Sequence, residues 1–253
     1  MLRAAGGSSG ILLAILLGSS YLLGGPMPPA GTPPAQLVSF LTANSATQEW
    51  SWFLGCGPTL LIGPWFLGVL AAHLWQANPR ARHLTAAGFS TALIAGAMLG
   101  TAGVMWGLFV YLGTQVTNAS LLLVLAEARH FAEGAVGFPV AGAIIAFSLA
   151  SRRQLPGWRA VAALGAVAAG LQLANAVADF VVDGVTGPLG PASFAAVLAW
   201  LAAISAALAA GLAGDVSRGP ASLRWRLASL RTPVRQTPLQ NPIASAAPHP
   251  KAP

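Results

Sequence analysis

Glu127-Ala128-Arg129-His130-Phe131-Ala132-Glu133 places four ionisable side chains within seven residues of an otherwise apolar chain. On a helix Glu127 and His130 are three apart and share a face, while Arg129 and Glu133 are four apart and can form an ion pair. A second polar set follows at Gln172, Asn175, Asp179 and Asp183. At 100° per residue these four side chains fall within an arc of about 80°, along a stripe about 16 Å long. Carboxylates, an imidazole and a guanidinium at such spacings support three kinds of chemistry. They can form an internal polar clamp, in which Arg129 neutralises Asp179 or Glu133 and Gln172 and Asn175 hydrogen-bond between helices. Glu127, His130, Asp179 and Asp183 could instead hold a divalent metal or a proton, since hard carboxylates with one imidazole suit Zn, Mn or Fe. They could also line a pocket or a path for a polar solute. Di-iron helical bundles need two Glu-x-x-His pairs, and this chain has one. No cofactor is expected, with a divalent metal at Glu127, His130, Asp179 and Asp183 as the alternative.

Other chemical signatures are missing or lack their context. No Walker A sequence, His-Glu-x-x-His, Cys-x-x-Cys or strand-borne Gly-x-Gly-x-x-Gly occurs. Gly6-Gly7-Ser8-Ser9-Gly10 matches Gly-x-Ser-x-Gly by letter but lies in an apolar segment with no strand before it, so the nucleophile-elbow reading fails. His73 and His83 would have to face one another to clamp a haem, and two histidines without further pattern read as interfacial residues. Cys56 is the single cysteine; it excludes an intramolecular disulfide and reads as a small packed residue.

The elements that must carry these residues follow from composition. The 253 residues are 55% hydrophobic and only 8% charged, against about 25% charged in soluble domains. Such a chain cannot solvate a globular surface, whereas a bilayer requires an apolar exterior. The fold class is accordingly all-α: a polytopic transmembrane bundle of six spans. Spans are expected at about 4–23, 52–76, 84–112, 133–150, 158–180 and 191–212. An external loop over 24–51 carries five prolines between Gly25 and Ala35 and a short interfacial helix over Leu37–Leu41. Residues 116–129 are too short to cross alone and read as an external or re-entrant helix. Ala4 to Leu23 is expected to stay as an anchor, because the small-x-small cleavage pattern is missing.

Charge sets the expected orientation. Of 13 Lys and Arg residues all but Arg129 fall on one side of this topology, and of six acids all but Asp215 fall on the other. The positive side is the cytoplasmic one, which puts both termini inside and the two polar sets outside. The net charge of +7 thus reflects membrane orientation, and no nucleic-acid partner is expected. Residues 216–253, with arginines among prolines, read as a basic disordered tail near anionic lipid.

Gly96-x-x-x-Gly100 and Gly103-x-x-x-Gly107 put small residues at helical spacing in the third span, so these four glycines are expected to mark close helix packing. The loop Arg153-Gln154-Leu155-Pro156-Gly157-Trp158 has the form Arg-x-Leu-Pro-x-Trp. It resembles, with the overall layout of residues 1–214, uncharacterised six-span membrane proteins of high-GC bacteria. That resemblance implies a topology and no catalytic residues. The expectation is a multi-pass protein of the inner (plasma) membrane, a non-enzymatic binding or accessory subunit with an outward polar pocket between spans four and five. Its partners would be lipid and a second copy or another membrane protein. The alternative is an outward-facing enzyme or transporter using Glu127, His130, Asp179 and Asp183.

Overall fold

The computed structural model describes residues 2–25, 28, 31–115, 119–181 and 188–217. Contacts divide the chain into Met1–Gly214 and Asp215–Pro253. The first unit is the helical bundle; the expected tail from residue 218 onward lies outside the described residues, as do residues 116–118 and most of the proline-rich stretch before Gly31.

Six α-helices account for the bundle: α1 (Leu2–Gly24), α2 (Pro34–Ala77), α3 (Arg82–Gln115), α4 (Ala119–Ala150), α5 (Trp158–Val181) and α6 (Leu189–Ser217). Each contains a stretch long and apolar enough to cross a membrane, so the protein is a polytopic all-α membrane protein. Their ends carry the expected stop and start chemistry. Gly25, at φ +61°, caps α1 in the left-handed region and donates its N–H to the Tyr21 carbonyl. Pro34 opens α2 at a position where a missing N–H costs nothing.

Two helices are longer than the sequence suggests. Residues 34–51, expected to be mostly loop, form the first part of a continuous 44-residue α2. Residues 119–129, expected as an external or re-entrant helix running into the fourth span, form the first turns of a single 32-residue α4. Pro58 did not end α2. Its absent N–H leaves the Leu54 carbonyl free, and the Thr59 hydroxyl donates to that carbonyl at 2.8 Å.

Paired contacts show how the helices run. Gly6 meets Val69 and Gly24 meets Ser51, so α1 and α2 are antiparallel. Gly107 meets Trp52 and Gly113 meets Leu41 between α3 and α2, and Gly88 meets Phe147 between α3 and α4. Gly137 meets Ala176 between α4 and α5, and Gly7 meets Ala209 between α1 and α6, which closes the bundle. Two junctions join three helices each. Gly10 of α1 lies directly against Phe66 of α2 and Ser205 of α6. Gly165 of α5 lies against Ser148 of α4 and Trp200 of α6, and the Trp200 indole N–H donates to the Ser148 hydroxyl at 2.9 Å. A side chain at either glycine would have to displace the Ser205 and Phe66, or the Ser148 and Trp200, side chains of the neighbouring helices.

α1 ends beside Gln48 and Ser51, which leaves residues 34–47 of α2 beyond it. α5 ends shortly after Asp179, which sits opposite Gly134, so the first turns of α4 run past α5. The 44 residues of α2 span about 66 Å at 1.5 Å per residue, twice a hydrocarbon core of about 30 Å. The start of α2, the end of α3 and the start of α4 therefore form a three-helix projection. It has its own apolar core of Leu37, Leu41, Phe109, Val110 and Leu122. The projection stands at the end of the bundle away from Leu2 and Gly211. Every described arginine except Arg129 lies at the opposite, terminal end.

Candidate functional site

The polar residues gather where the projection joins the bundle. Arg129, one helical turn before Glu133, pairs with it: Nε donates to Glu133 Oε1 at 2.8 Å and Nη2 lies 2.7 Å from the same oxygen. Of the two partners expected from the sequence, Glu133 is therefore the one found. The guanidinium also stacks on the Trp106 indole of α3, its central carbon 4.6 Å from the ring centroid. An exposed i,i+4 pair is worth only about 0.3–0.5 kcal/mol. The Arg129 side chain is just 12% exposed against 41% for Glu133, so the stack, worth about 0.5–2 kcal/mol as water is excluded, holds the arginine more firmly than the carboxylate does.

Asp179 is fastened separately. Asn175, one turn earlier on α5, donates Nδ2–H to Asp179 Oδ2 at 3.1 Å. A Cβ on Gly134 of α4 would come 3.0 Å from Asp179 Cβ, and one on Gly137 would come 2.7 Å from Ala176 Cβ and 3.1 Å from the Gln172 carbonyl. The stripe of Gln172, Asn175 and Asp179 on α5 meets α4 through Asp179, Ala176 and the Gln172 backbone. At Gly134 and Gly137 that stripe is a closed seam between the two helices. Cys56 of α2 packs against Gly103 of α3.

Glu127 turns away from this cluster. Its Oε1 accepts the backbone N–H of Gly31 at 2.8 Å and so ties the α1–α2 connection to α4. Asp183 lies outside the described residues. Among the described residues no three His, Cys, Asp or Glu side chains come close enough to share one metal ion. His73 lies beside Gly211 of α6, whereas His83 is exposed at the start of α3. Several buried polar atoms here have no hydrogen-bond partner among the described residues: His130 Nε2, Asn175 Oδ1, Trp106 Nε1 and Gln48 Oε1. Such groups cost about 1–3 kcal/mol each when left unpaired.

The glycines of α3 divide into two pairs. Gly103 and Gly107 form a notch for α2 side chains: Cys56 Sγ fills the space at Gly103, the Trp52 ring lies 2.9 Å from a Cβ on Gly107, and the Trp52 indole N–H donates to the Gly103 carbonyl at 2.7 Å. A Cβ at Gly96 or Gly100 would meet nothing within 4 Å. Trp106, which sequence reasoning passed over, sits between the two notch glycines; an indole flanked by glycines on a packed helix was the signal available.

A polar seam between α1 and α2 was also not foreseen. Ser20 and Ser51 each donate a hydroxyl to the other's carbonyl, at 2.8 and 2.6 Å, and Gln48 Nε2 donates to the Gly24 carbonyl at 2.6 Å. These bonds sit next to Trp106, which touches Gly24. Compared with family models, with curated proteins and with solved structures, the chain matches none.

Proposed function

We propose that this protein is a non-enzymatic accessory or binding subunit of a bacterial inner membrane, with both termini in the cytoplasm and the α2–α4 projection outside. The observation that carries this reading is how the charged groups are used. Arg129 is committed to Glu133 and Trp106, Asp179 to Asn175, and Glu127 to the Gly31 backbone. Catalysis would need a nucleophile, a base and an orienting group converging on one reacting atom. Here each charge is instead fixed in place under a projection that has its own core and exposes apolar side chains, Val124 at 62% and Tyr111 at 59%. Rigid exposed apolar surface on a charge-fixed base suits recognition of a partner within or above the outer leaflet.

The test is cross-linking in intact membranes through Val124→Cys in a Cys56→Ser background. A discrete adduct heavier than the chain is expected, abolished by the nearby change Tyr111→Glu. An adduct of twice the chain mass would identify the partner as a second copy. Absence of any adduct from Val124→Cys, and from a second probe at Leu121→Cys, would reject the reading. Orientation has its own check: reporters fused after Pro34 and Pro188 should register outside, and those after Arg82 and Arg153 inside.

A second reading, a polar-solute or metal site open to the outside, is favoured by the unpaired His130 Nε2 and Asn175 Oδ1. Elemental analysis of the purified protein beside an Asp179→Asn/His130→Ala variant tests its metal form. Stoichiometric metal lost in the variant would establish it, and its absence from both would remove it.

A further inference from the structure

The α2–α3 contact changes character along its length. Toward the projection it is closed, with Trp52 and Cys56 seated at Gly107 and Gly103 and Leu41 at Gly113. Toward the terminal end the two helices flank an open groove of about 290 Å³ lined by Ala71, Ala72, Trp75, Thr85, Ala86, Phe89 and Ser90. Pro58 and Pro64 lie in α2 between the closed and open parts, and each removes a helical hydrogen bond at the point where the helix could bend away.

The mouth of this groove is basic. Arg82 is held over the Trp75 ring, 5.4 Å from its centroid, and donates Nε–H to the Trp75 carbonyl at 3.3 Å. That carbonyl belongs to the last turn of α2, where the helix supplies no partner. With Nε so occupied, the two terminal nitrogens of Arg82 remain as a fixed fork of donors. Arg80 is exposed in the short 3-10 turn Pro79–Ala81 that joins the helices, and no Asp or Glu lies in the turn or the groove. The Thr85 hydroxyl is already used, donating to the Ala81 carbonyl at 3.3 Å.

We infer that this groove is a specific site for an anionic phospholipid, whose acyl chain lies along Ala71, Ala72 and Phe89 and whose phosphate is bound by Arg82 and Arg80. Three features point to that ligand over others. The groove opens on the apolar flank of two membrane-crossing helices, so hydrocarbon chains are its solvent. Its walls offer no charge to a polar solute. Its mouth combines a tryptophan with two arginines at the depth where headgroups lie, and a guanidinium fork suits a phosphate through paired charge-assisted bonds. The site is at the end of the bundle opposite the polar cluster and does not depend on the function proposed for that cluster.

The experiment uses the full chain in phosphatidylcholine vesicles doped with a lipid brominated on its acyl chain, carrying either a phosphatidylglycerol or a phosphatidylcholine headgroup. The readout is quenching of Trp75, taken as the difference between the protein and its Trp75→Phe variant. Brominated phosphatidylglycerol is expected to occupy the site about tenfold more readily than brominated phosphatidylcholine, in keeping with the attraction of two arginines for an anionic headgroup. Arg80→Gln/Arg82→Gln should bring the two lipids to equality. Ala72→Leu, which fills the groove, should reduce quenching by both. Arg152→Gln/Arg159→Gln, at the other basic loop, should leave the preference intact. Equal quenching by both lipids in the unaltered protein would overturn the proposal. So would a preference that survives Arg80→Gln/Arg82→Gln or disappears in Arg152→Gln/Arg159→Gln. Should the first double variant not fold, unchanged phosphatidylglycerol quenching in Ala72→Leu would overturn it alone.

Discussion

Phe66 and Phe109 are both about 1% exposed, yet they are buried in different ways. Phe66 lies in the bundle, where its ring edge presses on Gly10 and the surrounding core mixes Ala92, Ala141, Ala150, Ala168 and Ala207 with Leu70, Leu74, Ile144, Phe147 and Ile204. Phe109 lies in the projection among Leu37, Leu41, Val110 and Leu122. The difference follows from what surrounds each region. Within lipid, exchanging hydrocarbon contacts for side-chain contacts gains little, so stability comes from close approach and interhelical hydrogen bonds. Beyond the hydrocarbon core, removing large aliphatic side chains from water drives association as it does in soluble proteins, at about 25 cal/mol per Å² buried. On these physical grounds the bundle and the projection are expected to respond to different substitutions, the two regions meeting along α2 where α1 ends beside Gln48.

Enlarging a junction glycine should break the bundle side of this contrast most completely. Gly165→Leu or Gly10→Leu is expected to abolish a monodisperse detergent-soluble protein, because even a Cβ there overlaps Ser148 or Ser205 and Phe66; size-exclusion chromatography is the check. On the projection side, Phe109→Ala should cost about 3–5 kcal/mol and act locally. Limited proteolysis should then cut within residues 34–47 while the bundle stays intact, and simultaneous loss of both regions would show that they unfold as one unit. At the boundary, Arg129→Gln should lower the midpoint of thermal unfolding, with a cost of about 1–3 kcal/mol from the lost pair and stack. The exchange Arg129→Glu/Glu133→Arg should recover only part of it, since Trp106 loses its cation, and full recovery would show that the stack contributes nothing.

Smaller effects sharpen the comparison. Gly96→Ala and Gly100→Ala meet open space and should each raise stability by up to about 1 kcal/mol through helix propensity, opposite in sign to any change at Gly103 or Gly107. A loss at Gly96 would mean that a second molecule covers that face. In the loop between α4 and α5, Arg153 is the one non-glycine residue at positive φ among those described, at 62°. Arg153→Gly should therefore stabilise by about 1 kcal/mol, while Gly157→Ala, at φ +68°, should destabilise by a similar amount.

Much of the bundle was legible because its signals are additive along the chain. Apolar run length identifies a span whatever its neighbours, and Gly-x-x-x-Gly at Gly103 and Gly107 did mark a packed face. The same pattern at Gly96 and Gly100 faces nothing, since sequence spacing says which residues share a face but not which face is covered. Helix length was misread at residues 34–51 for a related reason. Gln36, Ser39, Thr42 and Thr47 look like loop chemistry, but they are the exposed side of a helix whose other side, Leu37 and Leu41, is covered by α3 and α4. The polar cluster was half legible. The i,i+4 pairs Arg129–Glu133 and Asn175–Asp179 are local and could be counted off. The partners Trp106 and Gly31 come from distant elements, and no period in the sequence points to them. The Arg-x-Leu-Pro-x-Trp loop now has a physical account: Leu155 is a 3% exposed plug under the bundle, Gly157 makes the turn, and Arg152 and Arg159 flank the Trp158 ring at 5.8 and 5.7 Å.

The closure of α6 onto α1 bears on how the protein is made. Of the six helices α1 enters the membrane first and α6 last, and the surface of α1 around Gly7 and Gly10 has its place against Ala209 and Ser205. At about 5–20 residues per second the ribosome needs roughly ten to forty seconds to supply that partner. Through this interval the Gly7 surface of α1 waits for a helix not yet synthesised, although Phe66 of α2 already reaches Gly10. Any chain stopped short of residue 189 would keep that face exposed, a mark by which insertion and quality-control machinery could tell an unfinished bundle from a complete one.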